Sequence, residues 1–95
     1  MTERRDEIVD NEFQAPDGPL ETLIANIQSE ILDVDRFGRT DSFYAFSGTS
    51  LDAIRICARI ERDSGYRALP VWLLETDILA DFAKRLEAEK HPVDG

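Results

Sequence analysis

Apolar residues follow a helical spacing in three separate stretches of the chain. In the first stretch they stand three, four, seven, eleven and fourteen positions after Leu20, with polar residues between them. This spacing places one apolar stripe on a helix and predicts a helix over residues 20–32. Asp17, Gly18 and Pro19, just before it, are typical of a helix start.

A second helix is predicted over residues 50–63. Thr49 is followed three positions later by Asp52, which is the capping pattern of a helix N-terminus. Apolar residues cover a broad arc of this helix, and Gly65 behind it is a typical left-handed cap. We expect Leu51 to anchor the first turn to the core.

Two further helices are predicted near the end of the chain. A short one follows Pro70 over residues 71–74, and a longer one runs over residues 77–89 with Asp77 as its N-cap. No stretch has the alternation of a strand. The pattern therefore predicts an all-α fold, a small four-helix bundle of three main helices and one short third helix, with a long first loop.

The first loop, residues 35–49, lacks periodicity and contains several glycine and serine residues. Four aromatic residues nevertheless crowd into it: Phe37, Phe43, Tyr44 and Phe46. Aromatic side chains at this density predict that the loop packs over the bundle rather than extending into solvent.

The two ends of the chain differ from the middle. Residues 1–16 are charge-rich and lack sustained periodicity, which predicts a flexible acidic leader. Residues 91–95 form a short tail. The folded domain is accordingly predicted over residues 17–90.

Composition narrows the functional classes. The 95 residues include 20 acidic and 11 basic ones, a net charge of −9, which repels phosphate backbones and disfavours nucleic-acid binding. No apolar run is long enough to span a membrane. A single cysteine allows no intrachain disulfide and favours a reducing compartment. We therefore expect a cytoplasmic protein without nucleic-acid or membrane partners, and a monomer.

Metal and nucleophilic catalysis find little support in the sequence. Cys57 lies on the apolar arc of the second helix, and the only histidine, His91, lies in the tail. Ser50 follows a Gly-Thr pair, as in a nucleophile elbow, but Asp52 stands where the elbow has its second glycine. Without a histidine base nearby, Ser50 is not expected to act as a triad nucleophile.

Ser50 lies at the point where the loop becomes a helix. A helix N-terminus is electropositive, so a phosphate attached to this serine would be well tolerated, and Gly48 would keep bulk away from its hydroxyl. The alternative is that Thr49 or Ser50 is only the helix cap. The residues alone favour the cap and leave both interpretations open.

The segment FGRTDSFYAFSGTSLDAIRICARI resembles the carrier-protein (thiolation) family, most closely the peptidyl carrier proteins of nonribosomal peptide synthesis. The resemblance covers most of the chain outside the leader and the tail. The residues that match the family pattern without a gap are Gly38, Asp41, Phe43, Tyr44, Phe46, Gly48, Ser50, Leu51 and Ala53.

This resemblance implies that Ser50 carries 4′-phosphopantetheine, attached by a phosphopantetheinyl transferase. The arm would hold an aminoacyl or peptidyl thioester, and the protein itself would catalyse nothing. Implied partners are an adenylating enzyme that activates an amino acid and condensation or tailoring enzymes. The sequence then predicts a free-standing peptidyl carrier protein, with two alternatives: an acyl carrier of a polyketide-type pathway, or a small helical interaction module without a prosthetic group.

Four positions depart from the family pattern. Ser47 stands where glycine is frequent, and Thr49 stands where aspartate or histidine is frequent. Ala45 replaces a usual acid, and Gln28 replaces a common tryptophan of the first helix. These departures bear on partner identity more than on attachment.

Candidate partner contacts lie on the second and third helices. Arg55, Arg59 and Arg62 form a basic stripe, which either pairs with Asp52 and Asp63 on a solvated face or helps partners to recognise the carrier. Fatty-acid-type carriers resemble one another in having an acidic second helix, so the stripe favours the peptidyl branch. Trp72 is either core or, if exposed, a docking anchor beside Leu51. The candidate contacts are Thr49, Leu51, Arg55, Arg59 and Trp72.

Overall fold

The computed structural model describes residues 2–89 and shows an all-α fold in that range. Its elements are α1 (Arg5–Ile8), α2 (Gly18–Leu32), a 3₁₀ turn (Tyr44–Phe46), α3 (Ser50–Ser64), α4 (Pro70–Glu75) and α5 (Leu79–Glu89). Within these residues two isolated bridges occur and no strand. The predicted helical bundle is confirmed. The tail with His91 lies outside the described residues.

The apolar stripe of α2 and the inner face of α3 form the centre of the bundle. Ile24 and Ile27 of α2 and Ile56 and Ile60 of α3 are almost completely buried. The two helices pack against each other in opposite directions, while α5 packs on α2 and α4 on α3. This arrangement places the first turn of α3 at the same end of the bundle as the last turn of α2.

The first loop packs as the aromatic residues predict. Phe37, Phe43 and Phe46 are buried, and the rings of Phe37 and Phe46 have centroids 5.0 Å apart. Tyr44 is the exception, because 51% of it is exposed and its hydroxyl donates to the carbonyl of Leu74 at 2.5 Å. The loop is thereby attached both to the core and to the end of α4.

The last helix begins two residues later than the sequence predicts. Its first helical hydrogen bond runs from the amide of Phe82 to the carbonyl of Ile78. The predicted cap, Asp77, serves the first loop instead: its carboxylate accepts from the hydroxyl of Ser42, and its carbonyl accepts from the amide of Phe43 at 2.9 Å. Asp77 therefore binds Ser42, a residue distant in the sequence, instead of capping α5, and local spacing does not reveal that contact.

The prediction of a flexible leader is corrected by the structure. Residues 5–8 form α1, and the backbone of Glu3 exchanges hydrogen bonds with Asp33 and Asp35 just after α2. Arg5 is fully buried. Residues 2–16 are mostly polar and charged, and nothing in that composition indicates that Arg5 is buried. Its partner lies 36 positions later in the chain.

That partner is Asp41, itself only 2% exposed. The guanidinium of Arg5 donates to both carboxylate oxygens of Asp41, from Nε at 2.6 Å and from Nη2 at 2.8 Å. The amide of Gly38 and the side chain of Asn11 also donate to this carboxylate, at 2.8 and 3.2 Å. The carbonyl of Asp41 accepts from the amide of Leu79, so this one residue joins the leader, the first loop and α5.

Candidate functional site

Ser50 is the first residue of α3 and is exposed to solvent. Its side chain makes no hydrogen bond within the described part of the chain, whereas Thr49 caps the helix. The Oγ1 atom of Thr49 accepts from the amide of Asp52 at 3.2 Å, and the Asp52 carboxylate accepts from the amide of Thr49 at 3.1 Å. The predicted capping box is confirmed, and it leaves the Ser50 hydroxyl available.

Replacing Thr49 by alanine should separate capping from any chemistry at Ser50. We expect a loss of about 1 kcal/mol in the free energy of unfolding, because the amide of Asp52 loses its acceptor. Thermal unfolding measures this loss. Thr49→Ser keeps the acceptor oxygen and should stay near the parent midpoint; a Thr49→Ala protein of unchanged stability would contradict the cap.

Gly48 also has a structural role that the sequence does not predict. A Cβ atom added there would lie 2.4 Å from the ring of Phe43, which is fully buried. Glycine is therefore required because the backbone passes directly over this ring. The close approach sets the path of the chain into α3 and so the position of Ser50.

Ser47 adopts a backbone conformation that favours glycine. Its φ is +62°, in the left-handed region, where an L side chain is strained. We expect Ser47→Gly to raise the free energy of unfolding by about 0.5–1 kcal/mol, the relief of strain exceeding the entropy lost by glycine. Thermal unfolding again provides the measurement, and a lower midpoint would contradict the assignment.

Leu51 does not anchor the first turn of α3, contrary to expectation, since 54% of it is exposed. Ala53 and Ile56 are buried in its place. Two further apolar side chains that the sequence analysis did not single out are also exposed, Ile54 at 52% and Val71 of α4 at 48%. Helical projection could have identified Ile54, because it and Leu51 point away from the buried stripe of α3.

The three arginines of the basic stripe on α3 differ in their ion pairs. Arg62 pairs with Asp63 at 2.8 Å, as the solvated-face interpretation expects. Arg59 instead reaches across to Glu30 of α2 at 2.8 Å. Arg55 is exposed and makes no ion pair with any described residue. Of the stripe, Arg55 is the cation that a partner could bind without breaking an internal contact.

The remaining singled-out residues contribute to the interior. Trp72 is half-buried against the core, with the guanidinium of Arg85 lying 5.5 Å from the centre of its ring. Cys57 is buried, and this burial, with the nearby Glu61 carboxylate, raises the pKa of its thiol to about 12. The thiol is thus protonated at neutral pH and packs as a small apolar side chain.

The sequence of the chain, with this exposed serine at the start of α3, can be compared with known protein families. The sequence model of the family described as "Phosphopantetheine attachment site" matches residues 22–86. This chain belongs to the phosphopantetheine-attachment family. The expected resemblance is confirmed, and with it the prosthetic group of the family, a 4′-phosphopantetheine held covalently on a serine.

Individual members of this carrier family resemble the chain over most of its length. Malpinin synthetase of Mortierella alpina is 38% identical over 78 residues, which are 82% of this chain and 1% of the synthetase. The chain therefore spans a very small part of that relative.

Two solved structures share the carrier fold. BlmI, a type-II acyl-carrier-protein of Streptomyces verticillus involved in bleomycin biosynthesis, is 35% identical with a TM-score of 0.68, and the match covers 73% of this chain and 83% of BlmI. A thiolation-reductase di-domain from an archaeal non-ribosomal peptide synthetase is 29% identical with a TM-score of 0.74, covering 84% of this chain and 17% of that one.

Carrier domains of this family are generally non-catalytic. Residues 2–89 include no helix with the length and apolar character needed to cross a bilayer.

Proposed function

We propose that this chain is a free-standing peptidyl carrier protein and that Ser50 bears its 4′-phosphopantetheine arm. The observation that carries the proposal is the uncommitted hydroxyl of Ser50. It is exposed on the first residue of α3, while the neighbouring Thr49 satisfies the helix end. A residue that only capped the helix would have its side chain engaged in a hydrogen bond.

The surroundings of Ser50 fit a phosphodiester. The N-terminus of a 15-residue helix favours negative charge within its first turn. Attachment would form a bond between the Ser50 oxygen and the phosphorus of coenzyme A that bears pantetheine. The bond from that phosphorus to the adenosine bisphosphate leaving group breaks, and the hydroxyl proton is released. A phosphopantetheinyl transferase is the partner that this step requires.

Incubation with coenzyme A and a broad-specificity phosphopantetheinyl transferase tests the assignment. The intact protein is expected to gain the mass of one phosphopantetheine, and Ser50→Ala is expected to gain none, because the attacking oxygen is lost. Mass spectrometry provides the measurement. Ser47→Gly is the matched control, since it removes the other serine close to the start of α3 and should still be loaded.

Failure of the intact protein to gain this mass would favour a small helical interaction module without a prosthetic group. Loading of Ser50→Ala would instead place the arm on another residue.

The arm makes this protein a carrier rather than an enzyme. The nearest acid along α3, Asp52, uses its carboxylate to accept from the amide of Thr49 in the capping box. A tether of this kind raises the effective concentration of a bound group at the active sites of its partners. We propose an adenylating enzyme that loads an amino acid, and condensation or tailoring enzymes that use it.

Partners would dock beside Ser50 on α3 and α4. Three exposed apolar side chains, Leu51, Ile54 and Val71, provide contact area there, and the unpaired Arg55 provides a charge. Thr49, Arg59 and Trp72, the other predicted contacts, are engaged within the fold. They would take part in recognition mainly by holding this surface in place.

The cargo distinguishes the peptidyl carrier from the nearest alternative, an acyl carrier. BlmI is described as an acyl-carrier-protein, and the archaeal relative is part of a peptide synthetase, so both kinds are represented among similar structures. Loading assays with amino acids plus candidate adenylating enzymes, run beside acyl-coenzyme A donors, separate the two. Transfer of acyl groups alone would contradict the peptidyl assignment.

A further inference from the structure

A small groove opens beside the loop that precedes Ser50. It has a volume of about 360 Å³ and is lined by Glu3, Ile8, Leu32, Phe46 and Ser47. Three of these five residues are apolar: Phe46 is buried, Leu32 is half-buried, and Ile8 leaves 38% of its surface exposed. The leader supplies one wall and the end of α2 with the 3₁₀ turn supplies the other.

The groove lies at the same end of the bundle as Ser50. Leu32, in the last turn of α2, lines the groove together with Phe46 and Ser47, which lie just before Ser50 in the chain. At the other end of the bundle Leu20 and Leu23 of α2 lie beside Ser64 of α3, so the two helices are antiparallel. Ser47 is three residues from Ser50, so their Cα atoms are at most about 11 Å apart. An extended pantetheine arm has about thirteen bonds between phosphorus and sulfur and spans roughly 15 Å. Its thiol end can therefore reach the groove.

The wall formed by the leader is held in a fixed position. Two backbone hydrogen bonds join Glu3 to Asp33 and Asp35, at 2.9 and 2.8 Å. The buried pair of Arg5 and Asp41 fixes the start of α1, which carries Ile8. An exposed isoleucine on an element so firmly attached forms a prepared apolar surface, which reduces the entropy cost of binding.

We propose that this groove binds the group carried on the arm, and that it favours an aminoacyl group with an apolar side chain. Ile8, Leu32 and Phe46 would contact the apolar side chain of the cargo. Glu3 is one of the five lining residues and none of them is cationic, so its carboxylate would attract the free ammonium of an aminoacyl thioester. An acyl group of the same shape lacks that ammonium.

This inference rests on the proposed attachment at Ser50, so the arm is loaded first and its mass is verified. The experiment then compares methyl-labelled protein in three forms: holo, holo with leucine joined to the arm through a stable amide, and holo with isocaproate joined in the same way. The methyl resonances of Ile8 and Leu32 are expected to shift with leucine and to show NOEs to its methyl groups. Leu20 and Leu23, at the opposite end of the bundle, are expected to stay unchanged.

Variants test each contact separately. Ile8→Ser should abolish the shift of Leu32, whereas Leu20→Ser, which removes an apolar side chain at the opposite end of the bundle, should retain it. Glu3→Gln should abolish the difference between leucine and isocaproate. A loaded protein without shifts or NOEs at the groove overturns this inference and leaves the attachment intact. A protein that gains no phosphopantetheine at Ser50 overturns both the inference and the attachment.

Discussion

Replacing Arg5 by methionine is expected to lower the free energy of unfolding by about 3–5 kcal/mol, the usual effect of removing one partner from a buried ion pair. Asp41 would stay in the interior, 2% exposed, without its two strongest hydrogen bonds. The amide of Gly38 and the side chain of Asn11 would be its remaining donors. For a domain of this size the change corresponds to a fall in midpoint of about 4–8 °C per kcal/mol.

A matched control is available one residue earlier. Arg4→Met removes the same charge from an exposed position and should change the free energy of unfolding by less than about 0.5 kcal/mol. The double variant Arg5→Met/Asp41→Leu replaces both charges and should recover much of the loss, because no buried charge remains unpaired. Equal effects of Arg4→Met and Arg5→Met would contradict the buried pair.

The pair of Arg5 and Asp41 also determines how the difference in the free energy of unfolding between the parent and Arg5→Met depends on pH. Burial acts to raise the pKa of Asp41, but hydrogen bonds from Arg5, Gly38 and Asn11 outweigh it and lower this pKa below its ordinary value of 3.8. A lowered pKa in the folded state gives stability that is complete above the unfolded value and is lost as the pH falls through the folded value. In the parent, the contribution of Asp41 should therefore be complete above pH 3.8 and should be lost below it. In Arg5→Met, burial without the guanidinium disfavours the charged carboxylate, so the gap in the free energy of unfolding should be largest at neutral pH and should begin to narrow on acidification before pH 3.8 is reached.

Replacing Gln28 by methionine is expected to raise the free energy of unfolding by about 1–3 kcal/mol. Gln28 is fully buried on α2, and neither its Oε1 nor its Nε2 has a hydrogen-bond partner in the described structure. Methionine has a similar length and flexibility, is a good helix former, and carries no strong polar group that must be satisfied. Chemical denaturation of both proteins measures the difference.

Gln28→Glu provides the opposite control. It has nearly the same shape but buries an acid at the same place, so it should lower the free energy of unfolding or retain its proton at neutral pH. If Gln28→Met were less stable than the parent, the amide would have to be hydrogen-bonded in solution, for instance to a buried water.

The helices of the bundle follow directly from the sequence because their signals are local. The spacing after Leu20, the box of Thr49 and Asp52 and the cap at Gly65 all depend on residues within a few positions of one another. The structure confirms them. The proposed attachment site, Ser50, could not be predicted from local signals alone. Local chemistry favours a simple helix cap, and only the family pattern distinguishes an attachment site from a cap.

What the sequence did not reveal depends on contacts between distant residues. Arg5 and Asp41 lie 36 positions apart, and Asp77 meets Ser42 across 35. Neither pairing leaves a trace in composition or periodicity, so one segment was taken for a flexible leader and one acid for a helix cap. The exposure of Leu51 was missed for another reason: apolar residues cover a broad arc of α3, and only helical projection separates the inner part of that arc from its outer part.

The position of Asp41 has a consequence for transplanting this carrier into another assembly. It belongs to the family pattern, yet its charge is balanced by a residue outside the matched region, which begins at residue 22. A fragment of residues 22–86 would keep every residue of the pattern, but without Arg5 its interior would contain the unpaired carboxylate of Asp41. The transferable unit therefore begins before Arg5, and a recipient chain has to supply an equivalent cation or a neutral residue in place of Asp41.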